Sequence, residues 1–226
     1  MAYNLLDLTT NVQDDLKDTS FSTTRIRRYL NHGQRVIFGT HDFRFTEKSY
    51  SGTMTAGDLS ITQQTDHETT IRLTLADPSD ATQVLIFNED NFLSHRDFFA
   101  NYPNVSAYSN NTPSRWTEFG NKIYFNTKVD KSYNYTQHYN RVATPMTANT
   151  DVPDVPETFR ELLELWADYR GEKYRGNHDI AATYKQEFED ELENMAIKFS
   201  APTAMGPTIW RNTNRVNRRY APYDSL

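Results

Sequence analysis

The chain has no cysteine. Disulfides and thiolate chemistry are therefore excluded, and nothing points to an oxidising compartment. Glycine is scarce, eight in 226 residues. No P-loop, no G-x-G-x-x-G after a strand and no G-x-S-x-G elbow occurs. No apolar run approaches the ~20 residues of a membrane span. The opening "MAYNLLDLTTNVQDDLKD" lacks a basic region and an apolar core, so it does not read as a signal peptide. The six histidines, His32, His41, His67, His95, His138 and His178, are scattered without metal-ligand spacing. No cofactor, no metal and no catalytic residue is expected.

What is present supports a packed core. Hydrophobic residues make up 37%, aromatics 13% and charged residues 24%. The formal charge is −6, unlike a protein built as a whole to grip nucleic acid. The charge is unevenly spread. Residues 154–198 carry six basic and twelve acidic groups, whereas 199–226 carry four and one.

Hydrophobic periodicity divides the chain. Leu5, Leu8, Val12 and Leu16 predict a helix over 4–17. Ile26, Tyr29, Leu30, Gly33 and Ile37 share the face of a second, capped by Ser22 or Thr24 and ending at Gly39. Gly33 suggests a close crossing that admits a partner backbone. From Phe43 the period falls to two. "FRFTEKSYS" places Phe43 and Phe45 on one strand face, and "TTIRLTL" aligns Ile71, Leu73 and Leu75. "TQVLIFNED" reads as a strand buried on both faces. A hairpin turning at Gly120-Asn121 is expected. "KSYNYTQHYN" sets Tyr133, Tyr135, Gln137 and Tyr139 on one side. "NNTPSR" and "NYPNVSAYSNN" read as loops.

Helical period returns after a capping box formed by Asp154 and Glu157. One stripe carries Phe159, Leu162, Leu163, Trp166, Tyr169 and Lys173, and Gly176 ends it. A second carries Ile180, Ala181, Tyr184, Phe188, Leu192, Met195 and Phe199. The connection is short, so the two should pack antiparallel. The expected fold is α+β: a four-helix α domain (1–42 and 151–199), an inserted antiparallel β domain (43–150) and an extended C-terminal arm (200–226). The packing residues of the helical domain are Ile26, Leu30, Ile37, Phe159, Leu163, Trp166, Tyr184, Phe188 and Leu192.

Three function classes remain open on these residues. "RIRRYLNHGQR" holds four arginines in eleven residues. It could bind phosphates, together with the basic tail, or form a face paired with the acidic helices. Glu89, Asp90 and Glu118 could serve a carbohydrate-active β protein, with the tyrosine strand as a stacking surface. The third class is a structural assembly protein.

Two stretches support the third. "TTRIRRYLNHGQRVIFGTHDFRF" resembles the N-terminal helix of tailed-phage head–tail adaptors, where an N-x-G-x-R helix leads into an aromatic residue and a β insertion. "DVPDVPETFRELLELWADYRGEKYRGNHDIAATYKQEFEDELENM" is similar to their helix pair, with Tyr184, Glu187, Phe188 and Leu192 matching the second helix. Phe43 and Phe45 stand where a tryptophan-type residue is usual.

The resemblance implies a ring, commonly of twelve copies, under the portal at the capsid vertex. The ring extends the DNA channel, without specific DNA binding, and offers a platform to a neck or tail protein. Its partners would be itself, the portal and that next protein, with no membrane. Its place would be the virion neck, after assembly in the host cytoplasm. The tail is then expected to dock on the portal or a neighbouring copy through Ile209, Trp210, Arg211, Arg215, Arg218, Arg219, Tyr220 and Tyr223.

Overall fold

Residues 3–199 are described by a computed structural model. Five α-helices occur among them: α1 (Leu5–Asp15), α2 (Thr23–Thr40), α3 (His95–Asn101), α4 (Glu161–Arg175) and α5 (His178–Phe199). The strands are β1 (Glu47–Met54), β2 (Ser60–Thr62), β3 (His67–Asp77), β4 (Asp80–Phe87), β5 (Asn110–Asn111), β6 (Trp116–Phe119), β7 (Lys122–Phe125), β8 (Lys128–Val129) and β9 (Tyr133–Arg141). The fold class is α+β. Of the described residues, 3–46 and 142–199 form one unit and 47–141 the other.

The helical unit begins with a reciprocal cap. The Asn4 side chain accepts from the Leu6 and Asp7 N–H groups, and the Asp7 carboxylate accepts from the Asn4 N–H. Ser22 caps α2 through its hydroxyl oxygen. Gly176, at φ 85°, ends α4 in the left-handed region and opens the turn into α5. Leu5, Leu8, Val12, Ile26, Leu30, Ile37, Leu162, Leu163, Phe188 and Met195 are buried in one core.

Segment 142–155 is laid along α2 by polar side chains. Asn31 exchanges two bonds with the Met146 backbone, at 2.9 and 2.7 Å. Gln34 donates to the Thr144 carbonyl and accepts from the Asp154 N–H, both at 2.8 Å. Arg27 reaches Asn149. Asn31 and Gln34 thus satisfy backbone groups of a non-helical return segment, and Arg27 holds its Asn149 side chain. This stitching ties residues 144–154 to the helical unit, and the chain divides at 46/47 and 141/142.

Phe43 and Phe45 are not in a strand. Residues Arg44–Thr46 form a single 3-10 turn, and β1 starts only at Glu47. The two rings stack at 5.0 Å between centroids, and Phe45 also meets Phe38 and Phe199 edge-on. Two aromatics one residue apart fit that turn as well as a strand, and the helical core buries them more fully. The Asp154/Glu157 capping box does not form either. Asp154 accepts from the Thr144 N–H, no side chain caps the Glu157–Phe159 turn, and α4 starts at Glu161.

In the other unit a four-stranded sheet runs β1-β9-β3-β4, a three-stranded sheet runs β2-β7-β6, and β5 pairs with β8 in parallel. β9 is central, with Tyr133, Tyr135, Gln137 and Tyr139 buried on one face. Tyr133 and Tyr135 share a core with Met54, Ile61, Leu73, Leu75, Phe87, Trp116, Ile123 and Phe125. Tyr135 lies across Gly52 of β1, where a Cβ would come within 2.6 Å of the phenol oxygen. The β6–β7 hairpin turns at Gly120 and Asn121, both at φ 59°, the paired positive values of a type I′ turn.

Three readings of this unit change, and a helix occurs where none was read. Ile71 is exposed, because a bulge between Thr70 and Arg72 breaks its alternation with Leu73. β4 is an edge strand with Val84 and Ile86 exposed, not a strand buried on both faces. The stretch after "FNED" contains α3, whose Phe98 is buried. Asn110–Asn111 and Val105–Ala107, read as loop, form β5 and a 3-10 turn.

Candidate assembly surfaces

α4 is the hub of the helical unit, packed on by α1, α2 and α5. Its Trp166 lies between two of them. The Trp166 ring meets Phe188 of α5 at 5.0 Å between centroids and His32 of α2 at 5.3 Å. The indole N–H donates to His32 Nδ1 at 3.1 Å. Burial, with Arg170 and Arg35 nearby, holds the His32 pKa below its ordinary value, so the ring stays neutral and can accept.

Gly33 lies under the same indole. A Cβ there would stand 2.9 Å from Trp166 Cδ1 and 3.1 Å from Cγ. The small residue therefore admits a side chain, where a partner backbone was expected. Gly33→Ala gains about 1 kcal/mol of helix propensity but must displace a ring held on three sides, at a cost of roughly 1–3 kcal/mol. A net loss of about 1 kcal/mol is expected in a thermal or denaturant melt. Gly171 of α4 plays the same part toward α1, with Leu16 Cδ1 2.9 Å from its Cβ position.

Ile26, Leu30, Ile37, Phe159, Leu163, Trp166, Phe188 and Leu192 are all buried in this core, and Tyr184 is half-buried. Ile180 departs from its stripe and is exposed, as is Lys173. The residues expected to dock, Ile209, Trp210, Arg211, Arg215, Arg218, Arg219, Tyr220 and Tyr223, lie outside the described residues.

On the far side of α4, Glu164, Asp168 and Glu172 recur every four residues. Asp15 of α1 and Tyr184 of α5 are close enough to perturb or be perturbed by them. Two of the three carboxylates have partners. Asn11 donates to Glu164 at 2.6 Å, while Arg175 and Asn177 donate to Glu172. Asp168 is buried with Oδ1 unpartnered. Burial pushes its pKa up to about 8, with Asp15, Glu164 and Glu172 adding to the effect. It therefore holds its proton at neutral pH. Periodicity places these carboxylates in register, but it does not show that Asp168 is buried.

The arginines of α2 do not pair with the acidic helices. Arg25 stacks on Tyr174 at 3.8 Å, and Arg28 and Arg170 flank Tyr29 at 5.7 and 5.8 Å. Among the described residues no ion pair joins them to a carboxylate. Arg28 and Arg35 stay exposed. The carboxylates named for sugar chemistry are dispersed over separate elements: Glu118 is on β6 beside His67, at 3.6 Å, while Glu89 and Asp90 form the turn after β4. Among the described residues no cluster of His, Cys, Asp or Glu could hold a metal, and no helix is long and apolar enough to cross a membrane.

No curated protein matches the chain. A protein-family model described as SU10 adaptor protein matches residues 3–216. The chain belongs to the SU10 adaptor protein family. That family is one of phage head–tail adaptors, so the chain is a structural adaptor and a virion component. The match spans both units and runs past Phe199 into the segment holding Trp210, Arg211 and Arg215. The adaptor relationship also implies that the chain works against portal and tail proteins.

Proposed function

We propose that this SU10-type adaptor forms a ring, of twelve copies, beneath the portal. It extends the DNA channel and gives the next neck or tail protein its platform, without catalysis. The observation that carries this reading is the family match over 3–216, which takes in the helical unit, the β unit and the start of the arm. The charge balance is consistent with it. A net charge of −6 suits a channel that repels DNA and lets the genome slide.

Residues 200–226 dock on the portal or on a neighbouring copy. Arginine forks suit carboxylate partners, and Trp210, Tyr220 and Tyr223 are the anchor types that dominate interfaces. Pro202, Pro207 and Pro222 lower the ordering cost, which is otherwise roughly 1–2 kcal/mol per residue. The test is the mass of the protein alone and mixed with portal rings. A species that becomes a twelve-copy ring on the portal is expected. Deleting 200–226 should abolish co-sedimentation with the portal and leave the circular dichroism melt of the rest unchanged. Unchanged co-sedimentation would remove the arm from the mechanism.

A further inference from the structure

A ring built head to tail needs two different faces on each copy that fit one another. The helical unit carries such a pair. α2 holds Arg25, Arg27, Arg28 and Arg35 and no acidic residue. Arg28 and Arg35 stand opposite Ile26, Leu30 and Ile37, on the side turned away from the core, and are exposed. They lie seven residues apart, about 10 Å along the helix. Among the described residues neither pairs with a carboxylate, and Arg170 adds charge beside Arg28 at Tyr29.

α5 has the opposite character. Opposite its buried Phe188, Leu192 and Met195 run Asp179, Gln186, Asp190 and Glu193, all exposed. Glu187 and Glu189 flank that stripe. The two lysines of α5 are turned elsewhere: Lys185 pairs with Glu189, and Lys198 lies over the Phe159 and Phe199 rings. Trp166 of α4 lies between α2 and α5, touching both. Among the described residues no ion pair joins the two faces of opposite sign. They can meet between successive copies around an axis.

We infer that the arginine face of α2 binds the carboxylate face of α5 on the next copy, making the lateral contact of the ring. This deepens the ring reading above and rests on it. Arginine forks against carboxylates supply both direction and register. The same face could take duplex phosphates. The matched acidic surface on the same chain favours a second copy.

Charge reversal tests this with full-length protein and portal rings, read by native mass spectrometry. One variant carries Arg28→Glu and Arg35→Glu, the other Asp190→Arg and Glu193→Arg. Each alone brings like charges together at every lateral contact, and a more than tenfold loss of complete rings is expected. An equimolar mixture restores them, because strict alternation makes every contact complementary again. The recovery also shows that both variants are folded. If each variant alone still gives rings of wild-type mass, the lateral contact lies elsewhere and the proposal falls while the ring stands. If the rings persist and only duplex DNA binding is lost, α2 is a phosphate surface and the proposal falls equally. If wild-type protein forms no ring even on the portal, the ring reading itself fails, and this contact with it.

Discussion

Replacing Asp168 with asparagine raises the thermal midpoint of the helical unit, and the gain grows with pH. The side chain is buried, Oδ1 has no hydrogen-bond partner, and Asp15, Glu164 and Glu172 surround it. Its pKa moves from 3.8 to about 8. An acid with a raised folded pKa keeps its proton in the folded chain after the unfolded chain has lost it. Between about pH 4 and 8 the folded state therefore binds the extra proton, and stability falls as pH rises through that window. Each pKa unit corresponds to about 1.4 kcal/mol. Local relaxation and water entry reduce the full span, so a penalty of roughly 2 kcal/mol near pH 8 is expected. For a chain of this size that corresponds to about 4–8 °C. Asparagine keeps the shape and removes the titration. Melts of both proteins from pH 4.5 to 8.5 should converge at the acid end and diverge at the basic end. Parallel curves would show that Asp168 does not titrate in this range.

The retention of such a group shows where reading a sequence by period stops. The tyrosines of β9 are spaced by two and bury one face, so alternation alone locates a central strand. The same rule fails at Phe43 and Phe45, because two aromatics one residue apart define a spacing too short to separate strand from turn. It fails again at β4, where a continuous apolar run lies at a sheet edge. Whether a neighbour covers both faces depends on strand order, which local spacing does not encode. Gly33 announces a close approach, but the identity of the intruding group, the Trp166 indole, comes from a helix more than a hundred residues away. Gly171 gave no such signal amid the charged residues of α4. Asn31 and Gln34 look like ordinary polar helix residues until the return segment supplies their partners. The arginines of α2 were visible as a charged face, whereas their tyrosine partners were not.

Trp166→Ala is the most damaging single change expected in the helical unit. The indole touches α2 through Gly33 and His32 and α5 through Phe188, so its removal opens a void where three helices meet. Truncations of this kind cost about 3–5 kcal/mol, which is roughly 10 °C or more in the melt. Trp166→Phe separates packing from the polar contact. It keeps a ring but removes the N–H donor to His32, at a cost of about 1 kcal/mol beyond the smaller volume. A proton titration of His32 by NMR follows that loss directly. With the donor gone, the neutral ring loses its stabilising partner, and the pKa should move up toward the ordinary histidine value. Gly33→Ala supplies the decisive cross-check. In the wild type its methyl strikes the indole, whereas in Trp166→Ala the space is empty and helix propensity alone remains. The same substitution should therefore destabilise the first background and stabilise the second by about 1 kcal/mol. Additive effects across the two sites would mean that the indole yields freely, and that α2 and α4 are held together by the surrounding aliphatic contacts instead.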